Sequence, residues 1–177
     1  MKGSDIHASL TELYETGQQN DAQEQERSSR RTRLLEIGTS NGYSTIWLAW
    51  AVSLTGGRVV SIDRDADKQA IADANLRRVE LREVVDLRCG DATEIVAGLP
   101  GPFDCVFFDA DRYSAPAQLS LLMLKLTPDV LLLADNVLSH PTEIAAYLRA
   151  LEALPGFDRV ILPIGKGLSV AYRSVEG

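Results

Sequence analysis

Short apolar runs alternate with segments of helical periodicity between positions 34 and 172. Short apolar runs bounded by Gly, Pro or Asp are typical of buried strands, whereas apolar residues repeating every three or four positions are typical of helices. The predicted strands cover 34–37, 59–63, 84–89, 103–108, 130–134, 159–164 and 168–172. The predicted helices cover 45–54, 66–81, 92–96, 119–126 and 141–154.

The order of these elements predicts an α/β fold. Strands that alternate with helices pair in parallel through right-handed crossovers, which gives a Rossmann-like, doubly wound sheet with helices on both faces. The last two strands are joined only by Gly165-Lys166-Gly167, and so short a connection joins antiparallel strands. We therefore expect one domain over 34–177, with a mostly parallel sheet that ends in an antiparallel strand.

Residues 1–33 have a different character. The spacing of Ile6, Leu10 and Leu13 predicts a short amphipathic helix, and the region 18–33, with a single apolar residue, is predicted to be a polar linker. The linker carries four arginines without interleaved aromatic residues: Arg27, Arg30, Arg31 and Arg33. We interpret them as part of a solvated segment, and we expect no nucleic-acid partner.

Composition supports this interpretation. The 177 residues include 25 acidic and 18 basic side chains, a net charge of −7, which argues against non-specific binding to nucleic acid. No apolar run is long enough to span a membrane, and no signal peptide or membrane partner is expected. Cys89 and Cys105 fall inside predicted strands without a pairing pattern. We expect two reduced core thiols in a cytoplasmic protein.

The first strand ends in a turn suited to a nucleotide-like ligand. Gly38 and Gly42 allow positive φ and close approach of a ligand, and the helix that follows offers free N–H groups. Asp63 falls 21 residues after Gly42, at the end of the second strand, where a carboxylate accepts hydrogen bonds from ribose hydroxyls. That spacing fits a dinucleotide and S-adenosylmethionine (SAM) equally well.

The turn itself favours SAM over NAD. A dinucleotide turn has the pattern G-x-G-x-x-G, but position 40 is Ser. Glu36, at the end of the strand, would repel a pyrophosphate, whereas it would attract a cofactor that carries an ammonium and a sulfonium group.

A second polar group follows two later strands. Asp109 ends the fourth strand, and Asp135 and Asn136 end the fifth. Ligands of open parallel sheets bind at the carboxyl ends of the strands, and two carboxylates with an amide oxygen suit a hard cation such as Mg²⁺. The two histidines have no zinc-site spacing.

Three motifs in this order resemble the cation-dependent, catechol-type O-methyltransferases. They are LEIGTSNGYS at 35–44, FDCVFFDAD at 103–111 and LADNV at 133–137. The resemblance extends from about Arg33 to the C-terminus. It implies a seven-stranded sheet, SAM and Mg²⁺ as cofactors, and a small hydroxylated acceptor such as a catechol or another vicinal diol.

The resemblance also implies roles for individual residues. Asp109, Asp135 and Asn136 would bind the metal. The cofactor would contact a larger set: Glu36, Gly38, Thr39, Ser40, Gly42, Tyr43, Ser44, Asp63, Arg64, Asp91, Ala92 and Asp109.

Two departures from the family pattern bear on catalysis. The family usually has a lysine, a candidate base, where this chain has Arg112, and a guanidinium stays protonated in proteins. Arg112 and Asp109 are the predicted catalytic residues. Arg112 is expected either to stabilise a phenolate or to form an ion pair at the surface. The segment ahead of the first strand is also short, so the acceptor pocket is expected to be open or completed in a homodimer. A cofactor-binding homologue without turnover and a small NAD-binding protein are the alternatives.

Overall fold

The computed structural model describes residues 31–174, and the predicted N-terminal helix lies outside that range. Seven strands form one sheet: β1 (Arg33–Ile37), β2 (Arg58–Asp63), β3 (Val85–Cys89), β4 (Phe103–Phe108), β5 (Leu126–Asp135), β6 (Asp158–Leu162) and β7 (Leu168–Arg173). The helices are α1 (Tyr43–Ser53), α2 (Ala66–Arg78), α3 (Ala92–Gly98), α4 (Ala115–Leu122) and α5 (Pro141–Glu152).

The strand order is β3-β2-β1-β4-β5-β7-β6. β1 to β5 pair in parallel, and β7 lies between β5 and β6, antiparallel to both. The predicted doubly wound, seven-stranded sheet with an antiparallel end is therefore confirmed. The strand order reverses between β1 and β4, and their carboxyl ends form the crevice where such sheets bind ligands.

Alternating side chains of the central strands build one apolar core on each face of the sheet. Leu35 and Ile37 belong to the core that α4 and α5 cover, together with Tyr147. Leu34 belongs to the other core, which includes Leu48 of α1. Because both faces are covered, the central strands are apolar almost throughout, and a polar side chain buried among them stands out.

Two elements, β5 and α4, begin four residues earlier than predicted. β5 starts at Leu126 rather than 130, and its pairing with β4 shifts register after Phe103, so the strand accommodates Pro128, which has no N–H to donate. α4 spans Ala115–Leu122 rather than 119–126, because Pro116 lies in its first turn, where a proline is tolerated.

The prediction that both cysteines lie in the core is confirmed for one of them and wrong for the other. Cys105 is buried, but Cys89 is exposed because it lies at the carboxyl end of β3.

Two arginines of the predicted linker are bound within the fold: Arg31 pairs with Asp129 at 2.8 Å, and Arg33 donates to the Gly101 carbonyl oxygen. Within residues 31–174, no helix has the length and apolar character needed to cross a membrane.

Candidate functional site

The turn after β1 packs directly against the neighbouring elements. Gly38 has φ +111, and a Cβ there would lie 2.2 Å from the carbonyl oxygen of Asp109. Its N–H donates to the Ile62 carbonyl oxygen of β2 at 2.8 Å. Gly42 precedes α1 with φ +82, and a Cβ there would lie 3.0 Å from the Cβ of Ala72. Both glycines are therefore required by close packing as well as by positive φ.

Glu36 lies fully buried beneath this turn and is surrounded by hydroxyl donors. Ser44 donates to its Oε1, and Thr45 and Ser61 donate to its Oε2, each at 2.5 Å. Burial raises the pKa of Glu36 from 4.5 to about 7, the three hydrogen bonds limit the rise, and the charge of Asp109 adds to it. A cofactor would meet Glu36 through the hydroxyl of Ser44 or after a rearrangement of these donors.

The donors to Glu36 belong to a longer buried chain of polar groups. Gln69 Nε2 donates to Thr39 Oγ1 at 3.0 Å, and the hydroxyls of Thr39 and Ser61 lie 2.6 Å apart. Thr45, Ser61 and Gln69 are not among the predicted site residues. Ser61 carries a signal that sequence reading could have used, since it is the one polar residue within the apolar run 59–62.

Asp63 links the turn to the end of β2. Its Oδ2 accepts the N–H of Ser40 at 2.7 Å, and its Oδ1 accepts the N–H of Asp65 at 3.0 Å. Ser40 has φ +48. A carboxylate has about four acceptor positions, so Asp63 keeps capacity for further donors such as ribose hydroxyls.

Asp91 lies at the N-terminus of α3. Its Oδ1 accepts two backbone N–H groups of the first turn, at 2.9 and 3.1 Å, and its neighbour Ala92 is partly buried. Tyr43 and Arg64 are both exposed at the same edge of the sheet. The charge of Arg64 helps to lower the pKa of Asp111, after the larger effect of hydrogen bonding, so Arg64 lies near the loop that follows β4.

The structure brings Asp109, Asp135 and Asn136 together. Asn136 Nδ2 donates to Asp109 Oδ1 at 3.1 Å and to Asp135 Oδ2 at 3.2 Å. Asn136 has φ +64, a conformation that asparagine tolerates better than most residues. Burial, and then the charge of Asp135, raises the pKa of Asp109 to about 6.

This donor set fits a hard divalent cation. Two adjacent carboxylates repel each other, and here the amide nitrogen of Asn136 lies between them, where a positive group is favoured. An amide nitrogen and oxygen exchange places by a half-turn, which would present the oxygen of Asn136 instead. In the described part of the chain, no cluster of three His, Cys, Asp or Glu side chains suits a metal. At this position the third protein ligand to a cation would be the Asn136 oxygen.

Arg112 lies in the loop after β4, and Glu143 of α5 holds it at the site. Arg112 Nη1 lies 3.4 Å from Glu143 Oε2, and both side chains are mostly buried. Arg112 Nε is buried without a hydrogen-bond partner. A shallow depression that is open to solvent is lined by Arg112, Asp135 and Ile144 among others. Glu143 is 31 residues from Arg112 in the chain, so no local sequence pattern indicated the pair.

Two further residues lie at the same edge. His140 is exposed and its Nδ1 is 2.9 Å from the hydroxyl of Ser139. Lys166 lies in the turn between β6 and β7, and its charge offsets a small part of the rise in the pKa of Asp109. Lys166 is therefore close enough to Asp109 to act on it electrostatically.

The sequence matches a known family across most of this region. A family model described as a methyltransferase domain covers residues 35–137, more than half of the chain. The chain belongs to the methyltransferase-domain family. The matched residues include the turn after β1 and the Asp109, Asp135 and Asn136 trio, and the family assignment sets the NAD-binding alternative aside.

Relatives of this methyltransferase domain confirm the resemblance to catechol-type enzymes. A catechol O-methyltransferase of Niastella koreensis is 39% identical over 111 residues, which cover 59% of this chain and 49% of the relative. A catechol O-methyltransferase of Mycobacterium tuberculosis is 33% identical over 138 residues, which cover 71% and 62% respectively. The chain thus spans about half to three fifths of the length of these relatives.

A solved structure agrees with the fold of this methyltransferase domain. The O-methyltransferase TomG from Streptomyces achromogenes, determined in complex with SAM, superposes with a TM-score of 0.72 at 25% identity. The superposition covers 82% of this chain and 74% of TomG.

Proposed function

We propose that this chain is a SAM-dependent O-methyltransferase that methylates a hydroxyl of a small catechol-like or vicinal-diol acceptor. One observation carries the proposal: two carboxylates and an amide, those of Asp109, Asp135 and Asn136, converge beside a turn suited to SAM. In the proposed reaction an acceptor oxygen attacks the methyl carbon, and the S–CH₃ bond breaks with its electron pair left on sulfur.

The cofactor would lie across the carboxyl ends of β1, β2 and β4. Ser44, with Glu36 behind it, would receive the methionine part, and the free acceptor positions of Asp63 would bind the ribose. Asp91 and Ala92 would border the adenine. Gly38 supports the proposal because its contact with the Asp109 backbone joins the cofactor turn to the acceptor side. Fixed placement of the two reactants supplies much of the rate in transfers of this kind.

Asp109, Asp135 and Asn136 would hold a divalent cation such as Mg²⁺. That cation would supply Lewis-acid polarisation, which makes acceptor hydroxyls more acidic near neutral pH. Arg112 would stabilise the developing negative charge on the acceptor oxygen electrostatically, since its side chain lines the same depression as Asp135. Because a guanidinium does not accept a proton, the acceptor proton would leave to water or to another base.

The test is methyl transfer from SAM to catechol with Mg²⁺ or with EDTA, together with calorimetry of S-adenosylhomocysteine binding. We expect cation-dependent transfer, and at least a hundredfold loss of activity in Asp135→Asn. Asp158→Asn, at an exposed position on β6, is the matched control and keeps its activity. Transfer that survives chelation would refute the cation assignment. Binding of S-adenosylhomocysteine without transfer to any diol would indicate a cofactor-binding homologue that has lost turnover.

A further inference from the structure

Gln69 of α2 is buried beside the cofactor turn, and both hydrogens of its amide nitrogen have acceptors. Its Nε2 lies 3.0 Å from Thr39 Oγ1 and 3.2 Å from the Arg88 carbonyl oxygen of β3. A carbonyl oxygen only accepts hydrogen bonds, so the amide nitrogen of Gln69, and not its oxygen, faces Arg88. The orientation of the amide is therefore fixed, and Gln69 donates to Thr39.

That donation sets the direction of the hydrogen bonds beneath the turn. Thr39 Oγ1 accepts from Gln69, so its hydroxyl hydrogen is available to Ser61 Oγ, which lies 2.6 Å away. Ser61 in turn donates to Glu36 Oε2. An ionised carboxylate can only accept, so the two ends of the chain require the same direction. Gln69 is the donor at which the chain begins, and Glu36 is the acceptor at which it ends.

The buried chain reaches the surface through one further hydroxyl. Its four members are all buried: Gln69, Thr39, Ser61 and Glu36. Ser44, which donates to the other oxygen of Glu36, is partly exposed. A ligand above the turn therefore meets this network through Ser44, whereas buried donors fix the position of the carboxylate behind it.

We propose that Gln69 is a positioning residue for the amino-acid end of the cofactor, acting through the buried chain that ends at Glu36 and not by contact with the cofactor. The inference rests on the proposed function for the presence of SAM at this turn. Without the Gln69 donor, the Thr39 hydroxyl loses the partner that fixes its direction, and the later hydrogen bonds of the chain lose that support. Because preorganised groups cost less free energy to order when a ligand binds, the loss falls on affinity for the amino-acid end.

The test compares S-adenosylhomocysteine with 5′-methylthioadenosine, which keeps the sulfur, ribose and adenine but lacks the amino-acid group. Calorimetry measures the affinity of each ligand for wild type and for Gln69→Met, whose side chain has similar length and no donor. We expect the variant to lose at least fivefold for S-adenosylhomocysteine and to stay within twofold of wild type for methylthioadenosine. Gln118→Met, at the other buried glutamine between residues 31 and 174, should change both affinities by the same factor.

A double-mutant cycle shows whether Gln69 acts through Thr39. Thr39→Val keeps the shape of the side chain and removes the hydroxyl, so we expect the same selective loss as in Gln69→Met. In the Thr39→Val background, Gln69→Met should lower the affinity for S-adenosylhomocysteine by less than a further twofold. Additive losses would overturn the inference, as would equal losses for both ligands in Gln69→Met, or no loss at all.

Methyl transfer by wild type separates this inference from the proposed function. Selective loss of S-adenosylhomocysteine affinity in Gln69→Met, with no transfer from SAM to any vicinal diol by wild type, would refute the proposed function and support the role of Gln69. Transfer by wild type, with equal losses for the two ligands in the variant, would do the reverse. Failure of wild type to bind S-adenosylhomocysteine would overturn both.

Discussion

The burial of Glu36 predicts an unusual pH dependence of stability. Its carboxyl group has a pKa of about 7 in the folded chain and 4.5 as the unperturbed value. The folded state therefore binds the proton more tightly than the unfolded state does, and stability falls as pH rises from about 4.5 through about 7. From these two pKa values, ionisation of Glu36 lowers the free energy of unfolding by roughly 1 kcal/mol at pH 5 and by roughly 3 kcal/mol at pH 8.

Glu36→Gln removes the ionisation and keeps an acceptor for the surrounding hydroxyls. We expect the unfolding free energy of the variant, relative to wild type, to increase by about 2 to 3 kcal/mol between pH 5 and pH 8. Urea unfolding followed by the fluorescence of Trp47 and Trp50, the only two tryptophans, measures this difference at each pH. Any pH-independent cost of the amide cancels, because the prediction concerns the change with pH.

Glu152→Gln at an exposed position of α5 is the control, and its difference from wild type should not vary with pH. A flat difference for Glu36→Gln over the same range would refute the reasoning. The proposed function adds a second expectation. If the cofactor's ammonium favours ionised Glu36, affinity for S-adenosylhomocysteine should rise between pH 6 and pH 8 by up to about tenfold more in wild type than in the variant.

Three further changes probe the site and its support. Gly38→Ala should cost at least about 3 kcal/mol of stability and abolish cofactor binding, because the new Cβ would lie 2.2 Å from the carbonyl oxygen of Asp109, just after β4. Gly56→Ala, also at positive φ but with nothing within 4 Å, should cost only about 1 kcal/mol, and equal costs would contradict the packing argument. Lys125→Met should lower the unfolding free energy by about 2 kcal/mol in urea, since its Nζ donates to three carbonyl oxygens at the end of α3. Lys68→Met, which loses only an exposed contact at 3.9 Å, should cost less than about 0.5 kcal/mol. Arg112→Lys should keep methyl transfer while Arg112→Ala loses at least tenfold, and an unchanged alanine variant would remove this residue from the mechanism.

The fold and the edge that carries the site were predictable from the sequence for one physical reason. Parallel strands place their carboxyl ends along one edge, so Asp63, Asp109 and Asp135 had to lie at the same edge of the sheet once the alternation of strands and helices was recognised. The Asp109, Asp135 and Asn136 trio required only that β4 and β5 be neighbours, which the pairing confirms.

The same reasoning could not predict contacts between segments that are distant in the sequence. Glu143 contacts Arg112 only because α5 packs beside the loop after β4. The separation of the two residues in the sequence follows no helical or strand periodicity, so it does not predict their contact. The hydroxyls around Glu36 come from α1 and β2. From the sequence we predicted that the Glu36 carboxylate faces a ligand. The hydroxyls that donate to its oxygens are recognised only in the packed structure.

The placement of β7 shows how a single topological choice changes the chemistry of a site. Had the last strand added at the outer edge of the sheet, the Gly165-Lys166-Gly167 turn would lie at least one strand further from Asp135. Because β7 instead pairs with β5 itself, Leu168 lies opposite Asp135, and the turn that contains Lys166 lies beside the carboxyl end of β5. The motifs at 35–44, 103–111 and 133–137 set out the cofactor turn and the carboxylate pair, but not what approaches them from outside. The position of this turn follows from the strand pairing alone, since the motifs leave it undetermined.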